Sequence, residues 1–147
     1  MEKTEKTLRF WSSWLLIVVI GVICFGLILV ILPDLSRQGF SWLIYGSFDR
    51  ISQFTPEASH YITLAHAVFG SVLVGWGVTI LFIVQRLFRK RVKNSWSIIA
   101  ISILAWFIPD TIFSLASGFA PNALLNLVFL ILFFIPLSAT LSYFRNH

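Results

Sequence analysis

The sequence predicts an all-α integral membrane protein, a four-transmembrane-helix bundle with both termini in the cytoplasm. Of its 147 residues, 58% are hydrophobic and only 12% are charged, and the mean hydropathy is +0.88, whereas soluble domains carry more charge. Four apolar runs of about 20 or more residues are each long enough to cross a bilayer core of roughly 30 Å. The basic residues lie at the ends of these runs, which indicates topology signals and no nucleic-acid partner. We therefore expect a single membrane domain over residues 1–147.

The first transmembrane span is predicted over residues 10–32. It follows a polar and basic start, residues 1–9, but it is too long for the apolar core of a typical signal peptide, so we expect a retained helix. Cys24 is the only cysteine, which excludes an intrachain disulfide and a CxxC redox centre. Pro33 and Asp34 end the span.

Residues 34–60 form an extracytoplasmic segment between the first two spans. Its many aromatic and aliphatic side chains predict that it lies in the membrane interface or folds back over the bundle, with one or two short helical turns. Two roles are open, an aromatic anchor and a lid. The side chains concerned are Phe40, Trp42, Leu43, Tyr45, Phe48, Ile51 and Phe54.

The other three spans are predicted over residues 62–85, 96–118 and 122–144. The second span is rich in glycine and serine, so we expect it at the centre of the bundle. Pro109 is expected to kink the third span. A basic loop, residues 86–95, separates the second span from the third.

Lysine and arginine are distributed unequally between the two predicted sides. The N-terminus, the basic loop and the C-terminus together carry nine of the eleven basic residues. The extracytoplasmic segment carries only Arg37 and Arg50. By the positive-inside rule, both termini and the basic loop are expected in the cytoplasm, with the chain in a bacterial inner membrane.

Polar side chains are predicted to converge near the outer ends of the second, third and fourth spans. Asp110 is the only acidic residue inside a long apolar run, and a carboxylate within a membrane span normally faces protein or water. Helical spacing places two serines on the face of Asp110 and two asparagines on one face of the fourth span. The predicted cluster is His66, Asp110, Ser114, Ser117, Asn122 and Asn126.

This polar cluster has two interpretations. In the first, its hydrogen bonds fix the register of the helices and have no further role. In the second, it lines a small outward-opening cavity, since an apolar cavity with a few convergent polar groups is the usual form of a small-molecule site. The apolar walls of that cavity would be Trp76, Trp106, Phe107 and Phe113.

These residues favour a non-enzymatic protein that binds a lipophilic small molecule or a partner membrane protein at the cluster. The alternative is a small proton-coupled transporter that acts as a homodimer, with Asp110 as the titrating group. A third possibility is a membrane enzyme that acts on lipids, with His66 and Asp110 as an acid–base pair, although no nucleophile accompanies them. We predict no catalytic residue, cofactor or metal, because only one histidine lies within a span and too few zinc ligands share one layer.

Residues 66–136 contain a glycine-rich second helix with a GWG element, a basic loop, and a W-F-x-x-D-T-x-x-S-L-x-x-G segment followed by N-x-x-x-N. In these features they resemble a family of small, uncharacterised bacterial four-span membrane proteins. The resemblance implies a four-span membrane fold, and it implies no particular activity. The four-helix architecture is also similar to that of DoxX-like and sterol-scaffold proteins, an analogy that carries no residue roles. The matching positions are Gly75-Trp76-Gly77, residues 86–93, Trp106 to Gly118, and Asn122 with Asn126.

Overall fold

The computed structural model describes residues 2–145 of the chain. Over these residues the backbone forms helices joined by short turns, and no strand is present. Four of the helices are long and apolar enough to cross a membrane, which confirms the predicted all-α class with four apolar helices. In chain order the helices are α1 (Glu2–Ile31), α2 (Pro33–Tyr45), α3 (Pro56–Ile83), α4 (Ser95–Ala116) and α5 (Ala120–Arg145), and all except α2 belong to the apolar set.

The bounds of α4 and α5 agree with the predicted spans to within two residues, whereas α1 and α3 begin earlier than predicted. α3 begins at Pro56 rather than at residue 62. The hydroxyl oxygen of Thr55 accepts a hydrogen bond from the amide of Ala58 (3.2 Å), which is a helix N-cap. Proline suits the first helical position, because its missing amide hydrogen is not needed there. Hydropathy therefore locates the apolar part of α3, whereas capping groups determine where the helix begins.

The connections between the apolar helices contain more helix than the sequence predicts. Instead of one or two short turns, the segment after α1 forms the 13-residue helix α2. The C-cap of α2 is Gly46, which has a left-handed φ of 67° and donates its amide hydrogen to the carbonyl of Trp42. A 3-10 turn, Arg50–Gln53, follows. The predicted basic loop is also partly helical, because a π-helical turn, Val84–Phe88, continues α3.

The chain divides into two compact units, which share α1 and α3. The first unit consists of Met1–Ile20 with Val78–His147, and the second consists of Gly21–Gly77. The boundaries fall within α1 and within α3, and each of these helices is continuous across its boundary.

In the second unit, α1 and α3 pack so closely that their backbones touch at glycine. A Cβ atom placed on Gly70 would lie 2.5 Å from the carbonyl oxygen of Gly26, and one placed on Gly26 would lie 2.6 Å from the carbonyl oxygen of Gly70. Further along α3, a Cβ atom on Gly77 would lie 2.6 Å from Cγ1 of Ile23. Small residues that allow backbones to approach are typical of helix contacts in membranes. Glycine is therefore required at this crossing for reasons of space.

In the first unit, two tryptophan side chains join α5 to its neighbours through backbone carbonyls. Nε1 of Trp14 on α1 donates to the carbonyl oxygen of Leu132 (3.0 Å), and Nε1 of Trp96 on α4 donates to the carbonyl oxygen of Leu137 (2.7 Å). In an α-helix the partner of the Leu132 carbonyl would be the amide four residues later, but this residue is Pro136, which has no amide hydrogen. Trp14 therefore satisfies a carbonyl that the helix itself leaves open.

Candidate functional site

A tight turn between α4 and α5 brings the start of α5 next to the end of α4. Gly118 has a left-handed φ of 79°. Its amide donates to the carbonyl of Leu115 (3.2 Å), and the amide of Phe119 donates to the carbonyl of Ser114 (2.7 Å). This pair of bonds is a Schellman motif, which ends a helix on a left-handed residue, usually glycine. Since α5 begins at Ala120, its first turn faces the last turns of α4.

Asp110, Ser114 and Asn122 form a closed set of hydrogen bonds across this turn. Nδ2 of Asn122 donates to Oγ of Ser114 (2.8 Å) and to Oδ1 of Asp110 (3.2 Å). The Ser114 hydroxyl donates in turn to the same Oδ1 (3.2 Å). The amide uses both of its hydrogens, and the hydroxyl acts as donor and acceptor. Ser114 is buried, and the other two residues are half-buried. The structure therefore brings together three of the six residues that the sequence placed in one cluster.

The two oxygens of the Asp110 carboxylate differ in their hydrogen bonding. Among the residues that the structure describes, both hydrogen bonds to this side chain end on Oδ1. Oδ2 is left able to accept a hydrogen bond from another molecule, because an ionised carboxylate can accept at both oxygens. The side chain is half-buried, so this oxygen is not sealed inside the protein.

Asn126 lies one turn further along α5 and pairs with a different residue. Its Nδ2 donates to Oγ1 of Thr111 at 3.4 Å, which is long for a hydrogen bond, and Asn126 is buried. Thr111 was absent from the predicted cluster, although it lies three residues before Ser114 and so shares that face of α4. That spacing was the signal available in the sequence. The polar contact between α4 and α5 thus extends over two successive turns of α5.

His66 belongs to the second compact unit, whereas Asp110 belongs to the first. The imidazole ring of His66 stacks on Phe40 of α2, with ring centroids 4.7 Å apart and an angle of 29° between the planes. Its Nδ1 is buried and has no hydrogen-bond partner within residues 2–145. The contact between Phe40 and the imidazole was not predicted, because the sequence predicted only one or two short helical turns in that connection. The predicted convergence of His66 with Asp110 stays a prediction.

The remaining predicted site residues have different surroundings. Ser117 is the C-cap of α4 and is exposed, so it lies at the surface of the turn. Phe113 is 69% exposed. Trp106 makes edge-to-face contacts with Phe107 and with Phe129 of α5, each at a centroid distance of 6.4 Å. Trp76, the last of the four predicted wall residues, lies in the second unit.

No family model, curated protein or solved structure matches this chain. The resemblance to small bacterial four-span proteins therefore stays a prediction. Within residues 2–145, no group of three or more His, Cys, Asp or Glu side chains could hold a metal ion. The fold and the site define an all-helical protein with four helices long enough to cross a membrane and a hydrogen-bonded carboxylate on one of them.

Proposed function

We propose that this chain is a multi-pass protein of a bacterial inner membrane, with both termini in the cytoplasm. The support is the length and apolar character of α1, α3, α4 and α5, together with the unequal distribution of lysine and arginine. Nine of the eleven basic residues belong to the N-terminus, the connection after α3 and the C-terminus. In this orientation, α2 and the turn between α4 and α5 lie on the extracytoplasmic side.

The orientation can be tested with single cysteines and a maleimide reagent that does not cross membranes. The native thiol is removed by Cys24→Ser, and a new thiol is introduced as Gln53→Cys after α2 or as Lys93→Cys after α3. Both positions are exposed. We expect intact spheroplasts to label Gln53→Cys alone and lysed cells to label both variants. Labelling of Lys93→Cys alone in spheroplasts would show the opposite orientation.

We propose that the cluster of Asp110, Ser114 and Asn122 binds a lipophilic molecule that carries a hydrogen-bond donor, without catalysis. The observation that carries this proposal is the free acceptor at Oδ2 of Asp110, since both hydrogen bonds from α4 and α5 end on Oδ1. A carboxylate within a membrane span is costly and normally faces protein or water. Asparagine or serine would suffice for a contact between two helices. The cost of the carboxylate therefore favours a ligand that uses its charge or its second oxygen.

The surroundings of the carboxylate support a ligand with an apolar body. Ile108, Ile112 and Phe113 on α4 are exposed side chains close to Asp110 in sequence. An apolar environment with a few fixed polar groups is typical of small-molecule sites. A hydroxyl or amino group of the ligand would donate to Oδ2, while its hydrocarbon part would lie against α4. A transmembrane helix of a partner protein could offer the same chemistry from a polar side chain.

The test is native mass spectrometry of the protein extracted in a mild detergent, comparing wild type with Asp110→Asn. Asparagine keeps a carbonyl oxygen that accepts from Ser114 and Asn122, so we expect the variant to fold. Asp49→Asn is the matched control, because it removes an exposed carboxylate in the turn after α2. We expect wild type and Asp49→Asn to retain a bound molecule that Asp110→Asn loses.

The mass that is lost distinguishes the two kinds of partner. A few hundred daltons would identify a small lipophilic ligand, and a polypeptide mass would identify a partner membrane protein. Identical spectra without a bound molecule in all three proteins would contradict the proposal and leave Asp110 with a structural role alone.

A further inference from the structure

A basic cavity of about 640 Å³ lies in the first compact unit, between the N-terminal part of α1 and the turn that follows α3. Four of the side chains that line it are basic and one, Glu5, is acidic. Serine hydroxyls of α1 and the apolar side chain of Leu8 complete the lining. The basic residues are Arg9, Arg89, Lys90 and Arg91. A concave surface with this excess of positive charge favours an anionic ligand.

Hydrogen bonds and a ring contact position the basic groups. Nη2 of Arg89 donates to Oγ of Ser13 on α1 (3.3 Å), and the Ser13 hydroxyl donates to the carbonyl of Arg9 (2.9 Å). The guanidinium of Arg91 lies 5.8 Å from the ring centroid of Tyr143 on α5. Contacts with two other helices therefore constrain the turn after α3.

The backbone of this turn is unusual and holds three basic residues in succession. The π-helical turn Val84–Phe88 precedes it. Arg91 and Asn94 then adopt left-handed φ values of 54° and 70°, which cost energy for residues other than glycine. Such conformations persist where surrounding contacts determine them, and they are enriched at ligand sites. Arg89, Lys90 and Arg91 in this turn all line the cavity.

We propose that this cavity binds the phosphate headgroup of an anionic phospholipid in the cytoplasmic leaflet. The proposal rests on the orientation given above, which places the connection after α3 at the cytoplasmic surface. Basic pockets between transmembrane helices on that side bind phospholipid headgroups, and arginine pairs with phosphate through two parallel hydrogen bonds. A lipid is favoured over a soluble anion because Phe10, directly after Arg9, is 59% exposed and begins the apolar surface of α1. Acyl chains can follow that surface.

The test measures which lipids the full-length protein retains when it is released from nanodiscs that contain phosphatidylglycerol and phosphatidylcholine. We compare wild type with Arg89→Gln and Lys90→Gln. Arg50→Gln is the control, because it removes an exposed charge in the 3-10 turn after α2. We expect wild type and Arg50→Gln to retain phosphatidylglycerol selectively. Each cavity variant should bind it about fivefold more weakly, because a basic residue near an anionic surface contributes roughly 1 kcal/mol.

A second arm distinguishes the lipid from a soluble anion, with inorganic phosphate added to nanodiscs of phosphatidylcholine alone. Phosphate that binds wild type but not Arg89→Gln in these nanodiscs, and that displaces phosphatidylglycerol when it is added to the mixed nanodiscs, would overturn the lipid proposal in favour of a soluble ligand. Equal losses of lipid in Arg50→Gln and in the cavity variants would overturn the lipid proposal in favour of general charge attraction. Equal retention of lipid in all four proteins would also overturn the proposal. Lys90→Gln is the control for misfolding, because the Lys90 side chain is exposed and its substitution should leave the fold intact.

The orientation and the binding site fail in different ways. If maleimide labelling shows the opposite orientation while the cavity variants still lose phosphatidylglycerol, the site stands and the assignment to the cytoplasmic leaflet is wrong. If labelling supports the orientation and the variants retain lipid equally, the site itself is wrong.

Discussion

The indole nitrogen of Trp14 lies 3.0 Å from the carbonyl oxygen of Leu132, which lacks the usual partner four residues later because Pro136 has no amide hydrogen. An unsatisfied carbonyl is costly where water is absent, so a side chain of another helix must supply the hydrogen. The proline in α5 and the tryptophan in α1 are thus structurally coupled, although they are far apart in sequence.

We expect Trp14→Phe to lower the free energy of unfolding by about 1 kcal/mol, the net contribution of one hydrogen bond. Phenylalanine keeps most of the ring but cannot donate to the Leu132 carbonyl. The measurement is reversible unfolding in mixed micelles, followed by circular dichroism. Trp11→Phe is the control, because Trp11 contacts Trp14 through its ring and also lies in α1.

The same substitution should cost less in a Pro136→Ala background. Alanine restores the amide hydrogen for the Leu132 carbonyl, so the indole is no longer its only donor. The double-mutant cycle of Trp14→Phe with Pro136→Ala measures this coupling directly. Additive effects would show that Trp14 does not compensate for Pro136.

We expect Asn122→Ala to destabilise the protein by about 1 kcal/mol. The substitution removes two hydrogen bonds across the turn between α4 and α5, and such bonds contribute about 0.6 kcal/mol each on average in membrane proteins. Ser117→Ala in the same turn is the control and should have little effect, since Ser117 is exposed. An equal effect of both substitutions in the same unfolding assay would contradict the role of Asn122.

Gly118→Ala is expected to lower the free energy of unfolding by about 1 kcal/mol, because Gly118 has a φ of 79° that is unfavourable for any side chain. The control is Gly21→Ala within α1, where a new Cβ atom meets nothing within 4 Å. That substitution should raise the stability by about 0.5–1 kcal/mol through helix propensity. Effects of the same sign at both positions would argue against a requirement for a left-handed residue at the turn.

Gly70→Ala should cost about 2 kcal/mol, because the new methyl group would lie 2.5 Å from the carbonyl oxygen of Gly26 and 2.7 Å from Cβ of Leu29. The matched control in the same helix is Gly75→Ala, where the added Cβ atom meets no atom within 4 Å. The difference in free energy of unfolding between the two variants measures how closely α1 and α3 approach. If Gly70→Ala is tolerated as well as Gly75→Ala, the helices are further apart than the structure has them.

Hydropathy alone was enough to predict the four apolar helices, because each run of apolar residues is long and contains few charges. It could not predict the start of α3 at Pro56, since that depends on the cap that Thr55 provides. Nor could it predict α2, in which apolar and polar residues are mixed. The buried hydroxyl of Ser41, which donates to the carbonyl of Ser47 (2.6 Å), contributes to the order of that segment.

Helical spacing and a short turn were enough to bring Asp110, Ser114 and Asn122 together, because these residues are close in sequence. The sequence could not predict the basic cavity, since the cavity joins Arg9 to residues 89–91 through the packing of α1 against the turn after α3. The same limit applies to Trp14, whose partner on α5 is separated from it by 118 positions.

The hydrogen bonds between α4 and α5 have a consequence for how the protein is made. The two helices are joined by the turn at residues 117–119, so under the membrane topology proposed above they would leave the translocon together as a helical hairpin. Asp110 would then reach the lipid with Ser114 and Asn122 already bonded to it, whereas α4 inserted alone would expose the carboxylate to hydrocarbon. Biosynthetic insertion of α4 should therefore depend on the synthesis of α5, although α4 alone is long and apolar enough to cross the membrane.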